Sequence, residues 1–208
     1  MNINELRVQY KKGALQRKDL DQNPIIQFKQ WFQEALNAQI QEPNAFSLAT
    51  VKDNKPSSRI VLLKEITSTD FIFFTNYLSA KGQAIASNPY VSMNFFWHEL
   101  ERQVCIEGIA CKSSRAISEK YFYSRPLGSQ IGAIISPQSE IINDNKRMLQ
   151  MQEYLLLHTD EIKCPLHWGA YNIQPHKMEF WQGRPNRLHD RYQYIKNNDV
   201  WKIVQLAP

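Results

Sequence analysis

Arg187-Leu188-His189-Asp190-Arg191 sets two guanidinium groups and an imidazole at alternate positions. It follows Glu179-Phe180-Trp181-Gln182 and then Gly183-Arg184-Pro185-Asn186. Gly, Pro and Asn each favour non-repetitive backbone, so the pattern predicts a turn over 183–186 between two strands of a hairpin. In a strand, Arg187, His189 and Arg191 would share one face, with Leu188, Asp190 and Tyr192 on the other. Such a face crowds positive charge, and an anionic ligand above it would relieve the repulsion. Equally, Asp190 and Glu179 would neutralise the arginines and leave a solvated hairpin. A second cluster lies in Tyr121-Phe122-Tyr123-Ser124-Arg125-Pro126-Leu127-Gly128-Ser129. Tyr121 and Arg125 have the spacing that shares a helix face, and Ser129 falls where a new helix could begin, a place that welcomes anions. The set reads as a phosphate cradle or as a helix terminus with incidental capping. A third stretch, Arg59-Ile60-Val61-Leu62-Leu63-Lys64, has a cation at each end of an apolar run. In a strand those two ends point to opposite faces, as ordinary strand-end charges also do.

Other chemistries lack their signatures. The chain has no Gly-x-Gly-x-x-Gly, no Walker loop and no nucleophile elbow. His98, His158, His167, His176 and His189 show no close ligand spacing, so no metal site is expected.

The elements that must position these residues are mostly strands. Asn23-Pro24 reads as a helix cap and first turn, followed by Phe28, Phe32, Ala35, Leu36 and Ile40 at helical spacing. Strands are predicted over 45–51, 57–64, 71–75, 90–97 and 102–111, with a short helix from Ser79 to Ser87. The segment 114–157 reads as helical, broken at 124–128, with Asn143 or Asp144 capping its last helix. Strands return over 168–174, 177–181, 191–196 and 200–206. Short antiparallel strands with tight connections predict a β-rich α+β fold, a closed or partly closed barrel.

The 208 residues suit one domain, here residues 22–208, preceded by a polar, basic arm over 1–21. From its residues the arm is either an unstructured terminus or a flap that closes with Arg7 and Tyr10. A net charge of +5 is too dispersed to demand nucleic acid and suits phosphorylated small molecules. Three cysteines without a Cys-x-x-Cys, and no signal peptide, point to reduced thiols in the cytoplasm. No apolar run is long enough to span a bilayer.

Taken together, Arg59–Lys64, Glu101-Arg102-Gln103-Val104, Tyr121–Pro126, Ser129-Gln130-Ile131-Gly132, Glu179–Gln182 and Arg187–Arg191 resemble the pyridoxine (pyridoxamine) 5′-phosphate oxidase family, essentially end to end. The resemblance implies an FMN-binding split β-barrel with peripheral helices, working as a homodimer with FMN at the subunit interface. It implies oxidation of pyridoxamine or pyridoxine 5′-phosphate to pyridoxal 5′-phosphate, with hydride passing from C4′ to flavin N5 and oxygen reduced to hydrogen peroxide. Carried over, FMN contacts are Arg59, Ile60, Val61, Leu62, Leu63, Lys64, Phe74, Thr75, Lys81, Gln103, Gln138, Ser139, Trp181 and Arg191. Substrate contacts are Lys64, Tyr121, Arg125 and Ser129 at the phosphate, with Arg187 and His189, the catalytic candidates, at the ring. Arg7 and Tyr10 match the family's lid. Ala80 is a departure, because the family commonly carries arginine there, and Phe74 stands where tyrosine also occurs. The residues alone also admit another split-barrel flavin reductase or oxidase, or a non-catalytic binder of pyridoxal phosphate or nucleic acid.

Overall fold

The computed structural model of the chain describes residues 2–6 and 8–208. Its helices are α1 (Pro24–Asn37), α2 (Ala80–Ser87), α3 (Arg115–Ser124), α4 (Leu127–Ile135) and α5 (Lys146–Leu157). Local chemistry sets several of their starts. The Asn23 side chain accepts from the Ile25 amide with Pro24 in the first turn, and the Ser79 and Ser114 hydroxyls cap α2 and α3. α1 buries Ile25, Phe28, Trp31 and Ala35. Leu36, expected on that face, is 45% exposed, because Trp31 fills the stripe instead. At α5 the Asp144 carboxylate accepts from the Lys146 amide, although Asn145 stands at the cap position.

The strands are β1 (Ala45–Lys52), β2 (Lys55–Leu62), β3 (Glu65–Ile66), β4 (Phe71–Asn76), β5 (Tyr90–Trp97), β6 (Arg102–Lys112), β7 (Trp168–Gln182), β8 (Asp190–Asn197) and β9 (Val200–Leu206). Among the described residues these nine form one sheet in the order β2-β1-β5-β6-β7-β4-β3, with β8 beside β7 and β9 beside β8. Every pairing is antiparallel.

β7 organises the sheet. One edge pairs β6 along its length; the other pairs β4 through residues 168–173 and β8 through 177–182. The sequence predicts a break at Pro175-His176, yet the strand is continuous. The register steps between Glu107 and Gly108, which leaves His176 without a partner on β6 and sets Pro175 opposite Gly108. A bulge absorbs the residue that cannot pair. A Cβ on Gly108 would lie 2.6 Å from the Gln174 carbonyl oxygen, so this close approach requires glycine.

The barrel is split where β2 and β4 face each other without pairing. The chain crosses that seam through Leu63, whose amide donates to the Asn44 carbonyl, and Lys64, whose amide donates to the Ile72 carbonyl. Inside lies an aromatic core built on Phe28, Phe46, Phe71, Phe73, Phe95, Trp97 and Phe180. Outside the seam a second, smaller cluster joins Phe122, Ile131, Leu155 and Trp168 to Phe74 and Tyr121. The two clusters therefore use opposite faces of β4, with Phe71 and Phe73 inward and Phe74 outward.

Residues 10–21 are laid against the barrel. The Lys11 and Lys12 amides donate to the Glu101 carboxylate at 2.7 and 2.8 Å, and the Leu15 amide to Asp190 at 2.9 Å. Leu15 and Leu20 are buried, and the Tyr194 hydroxyl donates to the Asp21 carbonyl. Among the described residues no helix is long and apolar enough to cross a membrane.

Candidate active site

The seam opens into a cleft of about 680 Å³ between β2, β4, the start of α2 and the helices α3 and α4. Arg59, Ile60, Val61, Leu62 and Lys64 line one wall, and Phe74, Thr75, Lys81, Gln138 and Ser139 line another. Tyr121, Arg125 and Ser129 line the third, together with Trp168. Leu63, expected among them, is 4% exposed and belongs to the barrel core. The alternation along a strand turns it away from the cleft.

Four cations face this cleft, and no described carboxylate lines it. Neutral acceptors hold two of them, Arg59 and Lys81. Arg59 donates to the Leu48 carbonyl at 3.1 Å, to Thr50 Oγ1 at 2.8 Å and to Ser57 Oγ at 2.6 Å. Lys81, 8% exposed, donates to Ser79 Oγ at 3.3 Å and Gln138 Oε1 at 3.1 Å. Arg125 lies over the Trp168 ring, with Cζ 4.7 Å from the ring centroid, and its buried Nη1 has no partner among the described residues. Burial lowers the pKa of Arg59, Lys81 and Arg125, and for Lys81 the nearby Arg59 charge adds to the effect. Concentrated positive charge, an unpaired buried donor and no internal counter-charge are the features of a site for bound anions. Tyr121 and Arg125 do meet in the cleft, although α3 ends at Ser124 and Arg125 is extended. Ser129 sits in the first turn of α4.

The remaining expected residues lie elsewhere on the chain. A second cleft of about 720 Å³ is lined by Tyr10, Arg184, Asn186, Arg187 and His189, with Leu6, Val8 and Gln9. Tyr10 packs edge-on against Trp181 and His189, with centroids 5.6 and 5.9 Å away. Arg7 falls outside the described residues. The predicted alternation of Arg187 with His189 and Arg191 does not hold. Asn186 and Arg187 have φ of 58° and 63° in a short 3-10 turn, and β8 begins only at Asp190. The left-handed backbone swings Arg187 out of strand register.

Neutralisation by carboxylates, the second reading of this face, is seen at Arg191, while Asp190 pairs with Arg184 of the turn and not with an arginine of the face. Glu179 bonds Arg191 at 2.9 and 3.1 Å, and Asp190 lies 3.4 Å from Arg184. His189 Nδ1 accepts from the Arg184 amide at 3.1 Å. Burial, then the charges of Arg187 and Arg191, push its pKa below the ordinary histidine value, against a smaller opposing effect of Asp190. Gln103 and Trp181 stand opposite each other on β6 and β7, and Arg191 faces Trp181 from β8. None of these three lines the first cleft.

Two residues went unselected in the sequence. Trp168 is marked in the sequence only as the start of a strand. Glu101 sits in the Glu101–Val104 motif, but nothing local reveals that its carboxylate grips a segment some ninety positions away.

Residues 32–162 match the family model described as pyridoxamine 5′-phosphate oxidase. Residues 168–208 match the model described as pyridoxine 5′-phosphate oxidase C-terminal dimerisation region. The pyridoxine/pyridoxamine 5′-phosphate oxidase of Haemophilus ducreyi is 50% identical over 210 residues, covering 100% of both chains. That of Bacteroides thetaiotaomicron is 46% identical, covering 100% of this chain and 99% of its own. Among solved structures, PhzG from Burkholderia lata, in complex with tetrahydrophenazine-1-carboxylic acid, aligns with a TM-score of 0.88 at 29% identity. That alignment covers 94% of this chain and 98% of PhzG. An FMN-binding protein from Nostoc punctiforme shares the fold, with a TM-score of 0.73 at 16% identity, over 91% of this chain and 100% of its own.

Proposed function

The chain belongs to the pyridoxamine 5′-phosphate oxidase family, and we propose that it oxidises pyridoxamine and pyridoxine 5′-phosphates to pyridoxal 5′-phosphate with FMN as cofactor. One observation carries the reading: four cations converge on a cleft that no described carboxylate lines, beside flat aromatic walls. Two phosphorylated, ring-bearing molecules, a flavin nucleotide and a pyridine, match that charge and shape. FMN, when bound, would accept the hydride and return the electrons to oxygen as hydrogen peroxide.

The protein's part is binding and orientation. Arg59, Lys81, Gln138 and Ser139 would hold the flavin phosphate, and Lys64, Tyr121, Arg125 and Ser129 the substrate phosphate, far from the reacting carbon. The expected set is divided on a single chain, since Gln103, Trp181, Arg191, Arg187, His189 and Tyr10 lie apart from the cleft. A homodimer that sets one chain's cleft against its partner's β7–β8 region would complete two sites, in agreement with the match to a dimerisation region. Neutral His189, its Nδ1 fixed as an acceptor, would then present Nε2–H to the ring oxygen or C4′ substituent. Arg187 would cover the ring as a flat cation. Free thiols at Cys105, Cys111 and Cys164 agree with a cytoplasmic setting.

The test is the visible spectrum of the purified protein under anaerobic conditions. A flavin spectrum that bleaches with pyridoxamine 5′-phosphate and recovers in air is the expected result. A flavin that ignores this substrate but bleaches with a nicotinamide donor would make the chain a reductase. Absence of any spectrum after soaking in FMN would point to Ala80, which lines the cleft without a charge, and to the non-catalytic readings.

A further inference from the structure

Arg125 is the phosphate ligand whose support is least ordinary. It stands between α3 and α4 with Pro126 behind it, and its carbonyl accepts from Gln130 Nε2 at 2.8 Å. Among the described residues its side chain bonds no carboxylate; its guanidinium lies over the ring of Trp168. Trp168 is itself 6% exposed and held from three sides. Phe74 and Tyr121 stack near-parallel to it, at 5.4 and 6.2 Å, and Phe122 packs edge-on at 5.5 Å. Behind it, Arg115 donates to the carbonyls of Cys164, Pro165 and Trp168, which ties the entry of β7 to the first turn of α3.

We propose that Trp168 is a positioning residue that holds the Arg125 guanidinium by its face and so makes the cleft selective for phosphorylated substrates. The inference rests on the reading of the cleft as a site for pyridine 5′-phosphates. A carboxylate in the same place would orient the guanidinium equally well, but it would occupy the in-plane N–H groups and repel an incoming phosphate. An indole attracts the cation through its quadrupole, leaves the net charge intact and contacts only the face. The edge N–H groups stay free for two parallel bonds to phosphate oxygens. The unpartnered, buried Nη1 of Arg125 is what such an arrangement leaves before a ligand arrives.

The experiment titrates FMN-loaded protein by calorimetry with pyridoxal 5′-phosphate and, separately, with unphosphorylated pyridoxal. Trp168→Leu should weaken the phosphorylated ligand roughly 5- to 30-fold, the span from an exposed to a desolvated cation–π contact. Trp168→Phe should weaken it less, and pyridoxal binding should barely change in either variant. In an Arg125→Ala background, Trp168→Phe should add nothing, because the two effects share one contact. Equal weakening of both ligands, or an undiminished Trp168→Phe effect without Arg125, would reduce Trp168 to a wall of the cleft. If Trp168→Leu does not fold, the Phe variant and its double mutant still decide the matter. Titration does not require turnover. Wild-type protein that binds pyridoxal 5′-phosphate but never oxidises pyridoxamine 5′-phosphate would overturn the proposed function and leave the inference standing. Wild-type protein that binds neither ligand would overturn both.

Discussion

The cleft at the barrel seam and the loop between β7 and β8 are both rich in arginine, but they hold it differently. In the cleft, Arg59 is fixed by a carbonyl and two hydroxyls, Lys81 by a hydroxyl and an amide, and Arg125 by an indole face. Around the loop, Glu179 takes Arg191 and Asp190 lies beside Arg184. Neutral partners fix position and keep the charge available; carboxylates fix position and cancel it. The first arrangement suits anions that come and go. The second suits side chains that must keep one position whether or not a ligand is bound, and Asp190 also anchors the Leu15 amide of the N-terminal segment.

The comparison breaks most readily at Arg125. Arg125→Ala should weaken substrate binding by about 2–5 kcal/mol, roughly 30-fold or more, through loss of a desolvated charge pair. Unchanged affinity for pyridoxamine 5′-phosphate in stopped-flow reduction would remove Arg125 from the anion-binding set. Lys81→Met should weaken FMN by about 1.5–3 kcal/mol, the worth of a hydrogen bond to a charged group, read by fluorescence titration. Because burial and Arg59 both disfavour the Lys81 charge, the flavin-free protein should lose no thermal stability from this change.

His189 tests the other region through pH. Its folded pKa lies below the ordinary 6.5, so the unfolded chain takes up the proton first on acidification. The stability tied to neutral His189 is therefore full above pH 6.5 and declines below it, through the folded pKa. Protonation would also place a hydrogen on Nδ1 against the Arg184 amide. The acid limb of kcat/KM should lie below 6.5 and vanish in His189→Gln. A limb that survives the substitution would assign it to another group. The smallest effect is expected for Glu179→Gln, which should alter unfolding free energy by about 1 kcal/mol or less in urea denaturation, as a partly exposed ion pair does. A loss of phosphorylated-ligand affinity comparable to that of Arg125→Ala would erase the distinction between the two regions.

Local signals in the sequence carried much of the architecture. Asn23-Pro24 and Ser79 start helices through bonds made within a few residues, and the strand alternation that sends Phe73 inward and Phe74 outward follows from the pleat alone. Most of the cleft was likewise visible in Arg59–Lys64 and Tyr121–Ser129. What stayed hidden depends on distant partners. Pro175-His176 looked like a strand end because its bulge is specified by Gly108, on another strand. Arg187 looked like a strand residue because positive φ at Asn186 and Arg187 is invisible in an Arg-x-His-x-Arg pattern. Trp168 was legible only as the first residue of a strand, and the guanidinium above it reveals a further use.

Glu101 holds the N-terminal segment by the amides of Lys11 and Lys12, not by their side chains. A grip on backbone reads where the chain is, not which residue stands there. Position 11 is therefore open to most substitutions while the segment stays docked, whereas Lys12 adds a side-chain bond from Nζ to the Glu99 carbonyl at 2.8 Å; proline, which lacks the N–H, is the change the clasp refuses at either position.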